Sequence, residues 1–335
     1  MGDPAGIGPE VIAKAMEWVL SRPHGYQPVI VGSQAVMKKT FKDLGLTKSI
    51  LTLSDITEVS ELGKDELKSV LMLNASDLKP KDFPMGKATR EAGEAAIECG
   101  NFVSDLVLAG AVQATVSAPG NADSRKLAAD TAAAKESEKR RKAMASISED
   151  DTSMMLISDN LRVAHVTEHV SLKQACEYVT KDHVLAKLKL VDPFLKDIGL
   201  KRRKIAIAGL NPHAAGEEEK TALIPAVEAA RKMGLDVEGP LPPDTVVFRA
   251  SNGEFDTVLV MYHDQGHSPV KMYGFKRGVI SITLGRPYPQ MSVAHGTAFD
   301  IAGKGVANPG AMRQAIDVAG KLAIGLEAKR IANHK

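Results

Sequence analysis

The chain has 335 residues, 44% of them apolar and 4% aromatic, with 43 Lys and Arg against 41 Asp and Glu. That length can bury a large core and suits two domains or one large divided one. A net charge of +2 gives no electrostatic case for nucleic acid or an anionic membrane, and no apolar run is long enough to cross a bilayer.

Strand-like and helical runs alternate almost throughout. The opening Met1-Gly2-Asp3-Pro4 shows no basic region followed by an apolar one, so the expected compartment is the cytoplasm. Pro9 suits the first turn of a helix reaching residue 20, where its missing N–H costs nothing. Residues 28–32 read as a short buried strand, 33–44 as a helix and 90–109 as a longer helix. Residues 114–118 read as a strand running into Pro119-Gly120. The run 122–148, rich in Ala, Lys, Glu and Arg without an aromatic, favours a solvated helix or a mobile flap. Residues 154–157 and 161–166 form a hairpin or neighbouring strands across Ser158-Asp159-Asn160. Helix follows over 172–188, strand over 205–210, and helix over 221–233, stopped by Gly234. Residues 239–245 carry too many prolines for a helix or a central strand and read as a connection or a rigid wall. Residues 258–261 and 279–283 are strands, and 310–331 is the closing helix. Cys99 and Cys176 fall in predicted helices and suggest no disulfide framework. Strands alternating with helices argue for a largely parallel sheet covered on both faces.

Three histidines share one context. His169, His213 and His263 each follow an apolar strand and precede small or polar residues, in Thr167-Glu168-His169, Asn211-Pro212-His213 and Tyr262-His263-Asp264-Gln265-Gly266-His267. Ligands collect beyond the carboxyl ends of strands in open α/β sheets. Three imidazoles at three such ends suit one divalent metal with positions open for substrate oxygen. A lone histidine is ordinarily a structural hydrogen-bonder, and His24, His183 and His334, in polar or helical surroundings, are assigned no role. His165, inside a strand near His169, suits the core or the support of a neighbouring ligand. The opening Gly2, Gly6 and Gly8 precede a helix and suit an anion site or a tight turn.

The opening Gly2-Asp3-Pro4-Ala5-Gly6-Ile7-Gly8-Pro9-Glu10 resembles the N-terminal signature of the 4-hydroxythreonine-4-phosphate dehydrogenase family. Asn211-Pro212-His213-Ala214, Pro242-Pro243-Asp244-Thr245, the His263 run and His295-Gly296-Thr297-Ala298-Phe299-Asp300 are similar to it in order and spacing. The resemblance implies a two-domain α/β fold of the isocitrate/isopropylmalate dehydrogenase type, with mostly parallel sheets flanked by helices and a cleft between domains. Residues 1–118 with 280–335 would form the cofactor side, and 119–279 a central domain with the metal ligands and dimer interface. It also implies NAD-dependent oxidation of a small β-hydroxy acid, with decarboxylation, in a homodimer whose site is shared across the interface. One of His169, His213 and His263 would then come from the neighbouring subunit. Three histidines suit zinc, and related enzymes accept magnesium, manganese or cobalt. Asp244 and Asp264 are candidates for orienting ligands or relaying a proton, or are structural hydrogen-bonders. Lys271 matches a substrate-binding lysine with a catalytic place in the site. His295, Gly296 and Thr297 lie in a stretch resembling a dinucleotide loop, in which Asp300 would accept a ribose hydroxyl and Asn308 would meet adenine.

The chain departs from that pattern at the substrate's phosphate end. A Gly-His-Thr-Glu segment expected after the strand at 114–118 is missing from residues 121–150. The substrate-binding arginine falls at Gln290, the substrate-binding asparagine at Ser281, and the loop after Asn211-Pro212-His213 is shortened to Gly216-Glu217-Glu218-Glu219. Losing an arginine fork removes the strong charge-assisted bonds to phosphate. The expected substrate is therefore another hydroxy acid, such as a differently gripped sugar-acid phosphate or a dihydrodiol carboxylate. A metal-dependent hydrolase and a metabolite-binding homologue without turnover are the alternatives. The family also has a strand ahead of Gly-Asp-Pro, and this chain begins at the motif, so exposed sheet edges are expected.

Overall fold

The alternation of strands and helices resolves into two units, Met1–Ser146 with Gln290–Lys335, and Ile147–Pro289. The computed structural model describes residues 1–144, 151–286 and 288–333. Against the division expected from the sequence, residues 119–146 group with the first unit and 280–289 with the second.

The first unit opens with α1 (Gly8–Leu20), β1 (Val29–Gly32), α2 (Gln34–Asp43), β2 (Ile50–Leu53) and β3 (Val70–Asn74). It continues through α3 (Arg90–Leu108), β4 (Thr115–Ser117), α4 (Ala122–Leu127) and α5 (Ala132–Met144). The second unit holds β5 (Ser153–Ser158), β6 (Leu161–His165), α6 (Leu172–Tyr178), α7 (Lys181–Asp197) and β7 (Ile205–Ala208). After these come α8 (Ile224–Lys232), β8 (Val237–Leu241), α9 (Pro243–Ser251), β9 (Thr257–Val260), α10 (His263–Gly274) and β10 (Ile280–Leu284). The chain returns to the first unit with β11 (Gln290–Val293) and α11 (Gly310–Asn333).

Helix starts follow side-chain chemistry. Ser33, Thr89, Asn121 and Thr180 each accept a backbone N–H three residues on, and Ser171 with Gln174 makes a capping box. In the first unit β3 lies between β1 and β2, both parallel to it, and its apolar run Val70–Leu73 is buried. Strand β4 is parallel to β11. In the second unit the order is β10-β5-β6-β9-β7-β8. The pairs β10/β5 and β5/β6 are antiparallel, the latter as the expected hairpin, while β6/β9, β9/β7 and β7/β8 are parallel. Buried runs such as Ile205–Ala208 and Thr257–Val260 mark strands covered on both faces.

Three expectations need correction. The helix expected over 172–188 is two helices, because Thr180 turns extended and caps α7. The proline-rich stretch 239–245 is part strand and part helix. Gly239 and Pro240 lie in β8, an edge strand where a missing donor faces no partner, and Pro243 opens α9. Of the run 122–148, residues 122–144 hold α4 and α5 across a turn, and they are docked: Ser124, Ala128 and Thr131 are buried, and Arg140 makes a two-pronged bond to Asp105 of α3. A Cβ at Gly93 of α3 would stand 2.0 Å from the Ser124 carbonyl oxygen, so only glycine allows this approach. Residues 145–148 of that run and His334 lie outside the described residues.

Candidate active site

Strands β6, β9 and β7 are consecutive neighbours, and each is followed by one of the three singled-out histidines. Beyond His165 the β6 chain stays zipped to its neighbour. The Val166 N–H donates to Val260 O at 2.8 Å, and the Thr167 hydroxyl donates to Met261 O at 2.8 Å. This carries His169 beside His263, the first residue of α10, with ring centroids 5.5 Å apart. On the other side, Gln265 ties the loop after β7 to the start of α10. Its side-chain amide donates to Gly209 O at 2.8 Å, and its carbonyl oxygen accepts from Met261 N at 2.7 Å.

That loop, Leu210 to Gly216, is clamped by Glu219. The carboxylate is fully buried and accepts from the N–H groups of Leu210 (2.7 Å), Asn211 (2.8 Å) and Gly216 (2.7 Å) and from Asn211 Nδ2 (2.7 Å). Burial alone would raise its pKa, but the accepted bonds hold it below the ordinary carboxylate value. Ala214, at φ 51°, completes the tight bend that presents His213, which is exposed.

The hydrogen bonds around α10 set the tautomers. His165 Nδ1 donates to Met154 O at 3.0 Å, which leaves His165 Nε2 as an acceptor. His267 Nδ1 lies 3.2 Å from that nitrogen and 3.2 Å from His263 O, so it carries the proton and leaves Nε2 bare. His263 Nδ1 meets Asp264 Oδ1 at 2.6 Å, so its Nε2 is bare as well. The His263 and His267 rings stack at 3.6 Å. Burial holds His165 down at about 3, and burial followed by the charges of His263 and Lys271 holds His267 at about 4. Both are neutral at physiological pH. Gly266 is required beneath them, since a Cβ there would stand 2.4 Å from His165 Nε2.

His263, His267 and Lys271 recur at four-residue intervals and share one face of α10. Lys271 is exposed. Asp244 is exposed in the first turn of α9. Ser281 sits on β10 opposite Leu156. Among the described residues of one chain, no three His, Cys, Asp or Glu side chains form a group that could hold a metal ion. The donor chemistry of the neighbouring pair His169 and His263 fits two ligands of a zinc-like ion, whose imidazole nitrogens lie about 2.0–2.1 Å away.

In the first unit the stretch 295–308 is held from beneath by α1. Glu10 accepts from Gly305 N (3.2 Å) and Ala307 N (2.7 Å), and Lys14 donates to Glu10 (2.8 Å) and to the carbonyls of Gly305 (2.9 Å) and Ala307 (2.8 Å). Gly303 and Gly305 take positive φ at 75° and 71°, as these turns demand. Thr297 is buried against the opening motif: its carbonyl accepts from Ile7 N at 2.9 Å, and a Cβ at Gly6 would stand 2.7 Å from its own. The opening glycines thus pack a turn under this stretch. His295, Gly296, Asp300 and Asn308 are exposed along it, and Gln290 is exposed at the start of β11. Sequence reading assigned no role to His267, Glu219, Glu10 or Lys14. The four-residue spacing of His267 from His263 was the available signal. The clamping of loop amides by Glu219 and Glu10 had none, because those partners are backbone N–H groups.

The family described as pyridoxal phosphate biosynthetic protein PdxA matches residues 24–319. The D-threonate 4-phosphate dehydrogenase of Salmonella typhimurium is 37% identical over 329 residues, covering 96% of this chain and 97% of that protein. The enzyme of the same name from Pectobacterium atrosepticum is 36% identical over 334 residues, covering 96% and 98%. The crystal structure of a 4-hydroxythreonine-4-phosphate dehydrogenase from Burkholderia phymatum superposes with a TM-score of 0.73 at 33% identity, covering 96% of each chain.

Proposed function

Since the chain belongs to the PdxA family, we propose that it is a dehydrogenase of a small hydroxy-acid phosphate, using NAD and a divalent metal in a homodimer. The observation that carries this reading is the set of three histidine-bearing loops following the neighbouring parallel strands β6, β9 and β7. Its histidines suit one ion when the trio is completed across a two-fold axis. Bound there, the ion would supply Lewis acidity to substrate oxygen, while the nicotinamide accepts hydride.

The chain's own residues do the rest. Asp264 holds the His263 Nδ1 proton, so Nε2 faces outward as a donor of electrons. His267 backs the His263 ring by stacking, and its own proton is fixed toward His165. Lys271, two turns along the same helix face, offers a cation to the substrate's carboxylate or phosphate. Asp264 and Asp244 are the carboxylates available to receive the hydroxyl proton. Asp300 would accept a ribose hydroxyl and Asn308 would meet adenine, on a loop whose shape Glu10 and Lys14 maintain.

Substrate preference turns on Gln290 and Ser281. Neither side chain carries a charge, so the phosphate is gripped from other positions. Relatives carry both names, D-threonate 4-phosphate and 4-hydroxythreonine-4-phosphate dehydrogenase, so the preference for a sugar-acid phosphate rests on Gln290 and Ser281. Steady-state NADH formation with each compound, with and without chelator, tests the proposal. The expected result is chelator-sensitive turnover with a higher kcat/KM for D-threonate 4-phosphate. A clear preference for 4-phosphohydroxythreonine would refute the substrate reading, and metal-independent turnover would refute the ion.

A further inference from the structure

Among the described residues, Arg22, Arg140, Arg162, Arg286 and Arg313 each keep an enclosed guanidinium nitrogen without a hydrogen-bond partner. Four of these side chains are held by other contacts. Arg22 pairs with Asp317, Arg140 pairs with Asp105, Arg162 donates to Asn160 O, and Arg313 lies over the Trp18 ring. Arg286 is half-buried, and its guanidinium makes no ion pair, hydrogen bond or ring contact among the described residues. A cation drawn out of water is costly unless something supplies its counter-charge.

The fold puts this cation at the end of the second unit's sheet that carries the histidines. Strand β10 is antiparallel to β5 and β5 to β6, so β10 runs parallel to β6, β9 and β7. Their carboxyl ends lie at one end of the sheet, where ligands collect. Leu284, last in β10, stands opposite Ser153, whose hydroxyl donates to His165 O at the end of β6 at 2.8 Å. Gly285 fixes the exit from β10. It takes φ 83°, and a Cβ there would stand 2.0 Å from Asp151 O. Arg286 comes next, and Tyr288 is half-buried within range of its charge. Burial pushes the Tyr288 hydroxyl up against the pull of Arg286, so it stays protonated and can donate. Since β5 alone separates β10 from β6, those two strands lie about 10 Å apart. Side chains reaching inward from both leave room for a small hydroxy acid with its hydroxyl at the histidines and its charged far end at Arg286.

On the dehydrogenase reading of the histidine loops, on which this rests, we propose that Arg286 selects a phosphorylated substrate. Its guanidinium, with the Tyr288 hydroxyl beside it, binds the phosphate ester at the far end of the hydroxy acid. The cation that position 290 lacks is thus supplied four residues earlier, on the turn out of β10. A planar guanidinium suits phosphate because two N–H groups can meet two oxygens.

The test compares the zinc-loaded parent chain with Arg286→Gln and Arg286→Lys. The KM for D-threonate 4-phosphate is measured relative to the inhibition constant of unphosphorylated D-threonate. Arg286→Gln should raise that ratio about thirtyfold, as a charged bond to phosphate is lost. Arg286→Lys keeps the charge without the fork and should recover part of the loss. Inorganic phosphate, against chloride at equal ionic strength, should raise the melting temperature of the parent by about 3 °C and that of Arg286→Gln by less than about 1 °C. Without ligand, Arg286→Gln should melt no lower than the parent, since no protein group loses a partner. An unchanged ratio would overturn the proposal. So would a lower melting temperature with equal losses for both compounds, the mark of a structural arginine. Dissociation of a dimer with the ratio unchanged would assign the guanidinium to a second copy and overturn it too. If the parent does not turn over the phosphate ester, the dehydrogenase reading fails separately, and the phosphate-induced shift alone decides. Its loss in Arg286→Gln then supports the anion site, and equal shifts remove it.

Discussion

Glu219→Ala should unfasten the His213 loop. The carboxylate accepts three backbone N–H groups and the Asn211 side chain from a fully buried position. Each donor left without a partner costs about 1–3 kcal/mol, reduced where the loop relaxes toward water. A total of about 3–4 kcal/mol follows, or a fall in melting temperature of roughly 5–10 °C. Glu219→Gln keeps the shape but turns an N–H toward some of these donors, so it should lose about half as much. The pH dependence has a fixed sign. The folded carboxyl lies below its ordinary value of 4.5, so its contribution is complete above that pH. It is lost as pH falls through the folded value. Urea melts of parent and variant across pH 3 to 8 give both quantities. A Glu219→Gln protein melting within about 1 °C of the parent at pH 7 would refute the clamp.

Asp264→Asn should weaken metal affinity about tenfold in a chelator competition, because His263 Nδ1 exchanges a charged acceptor for a neutral amide oxygen. Glu10→Gln should raise the KM for NAD about tenfold with a smaller change in kcat, since two loop amides lose a charged acceptor. His165 and His267 are held below the ordinary 6.5 in the folded state. The unfolded chain therefore binds protons first, and stability should fall as pH drops from 6.5 toward 4. His165→Phe should flatten that slope in the same urea series, and an unchanged slope would remove His165 from the account.

The histidine pattern was legible because its signal is local: an apolar run, an imidazole, then polar residues. Adjacency was not legible. Nothing in the sequence says that the strands before His169, His213 and His263 are consecutive in the sheet. The His165–His267 bond spans 102 residues and shows only when β6 and α10 meet. Residues 50–53 and 70–74 escaped notice as strands, being short runs set among polar residues, although β3 is the centre of its sheet. The break at Thr180 was hidden because the helical pattern continues on both sides of a cap. Prolines were misjudged at 240 and 243 because their cost depends on position, at a sheet edge and in a first helical turn.

The central claim is that His169, His213 and His263, drawn from two subunits, hold one ion beside the substrate. Anomalous diffraction at the zinc edge, from crystals grown with zinc and D-threonate 4-phosphate, addresses it most directly. The account predicts a single peak about 2.1 Å from one nitrogen of each of the three imidazoles, with substrate oxygen in a remaining position. A peak bound elsewhere, or substrate bound with no ion between these three rings, would contradict it.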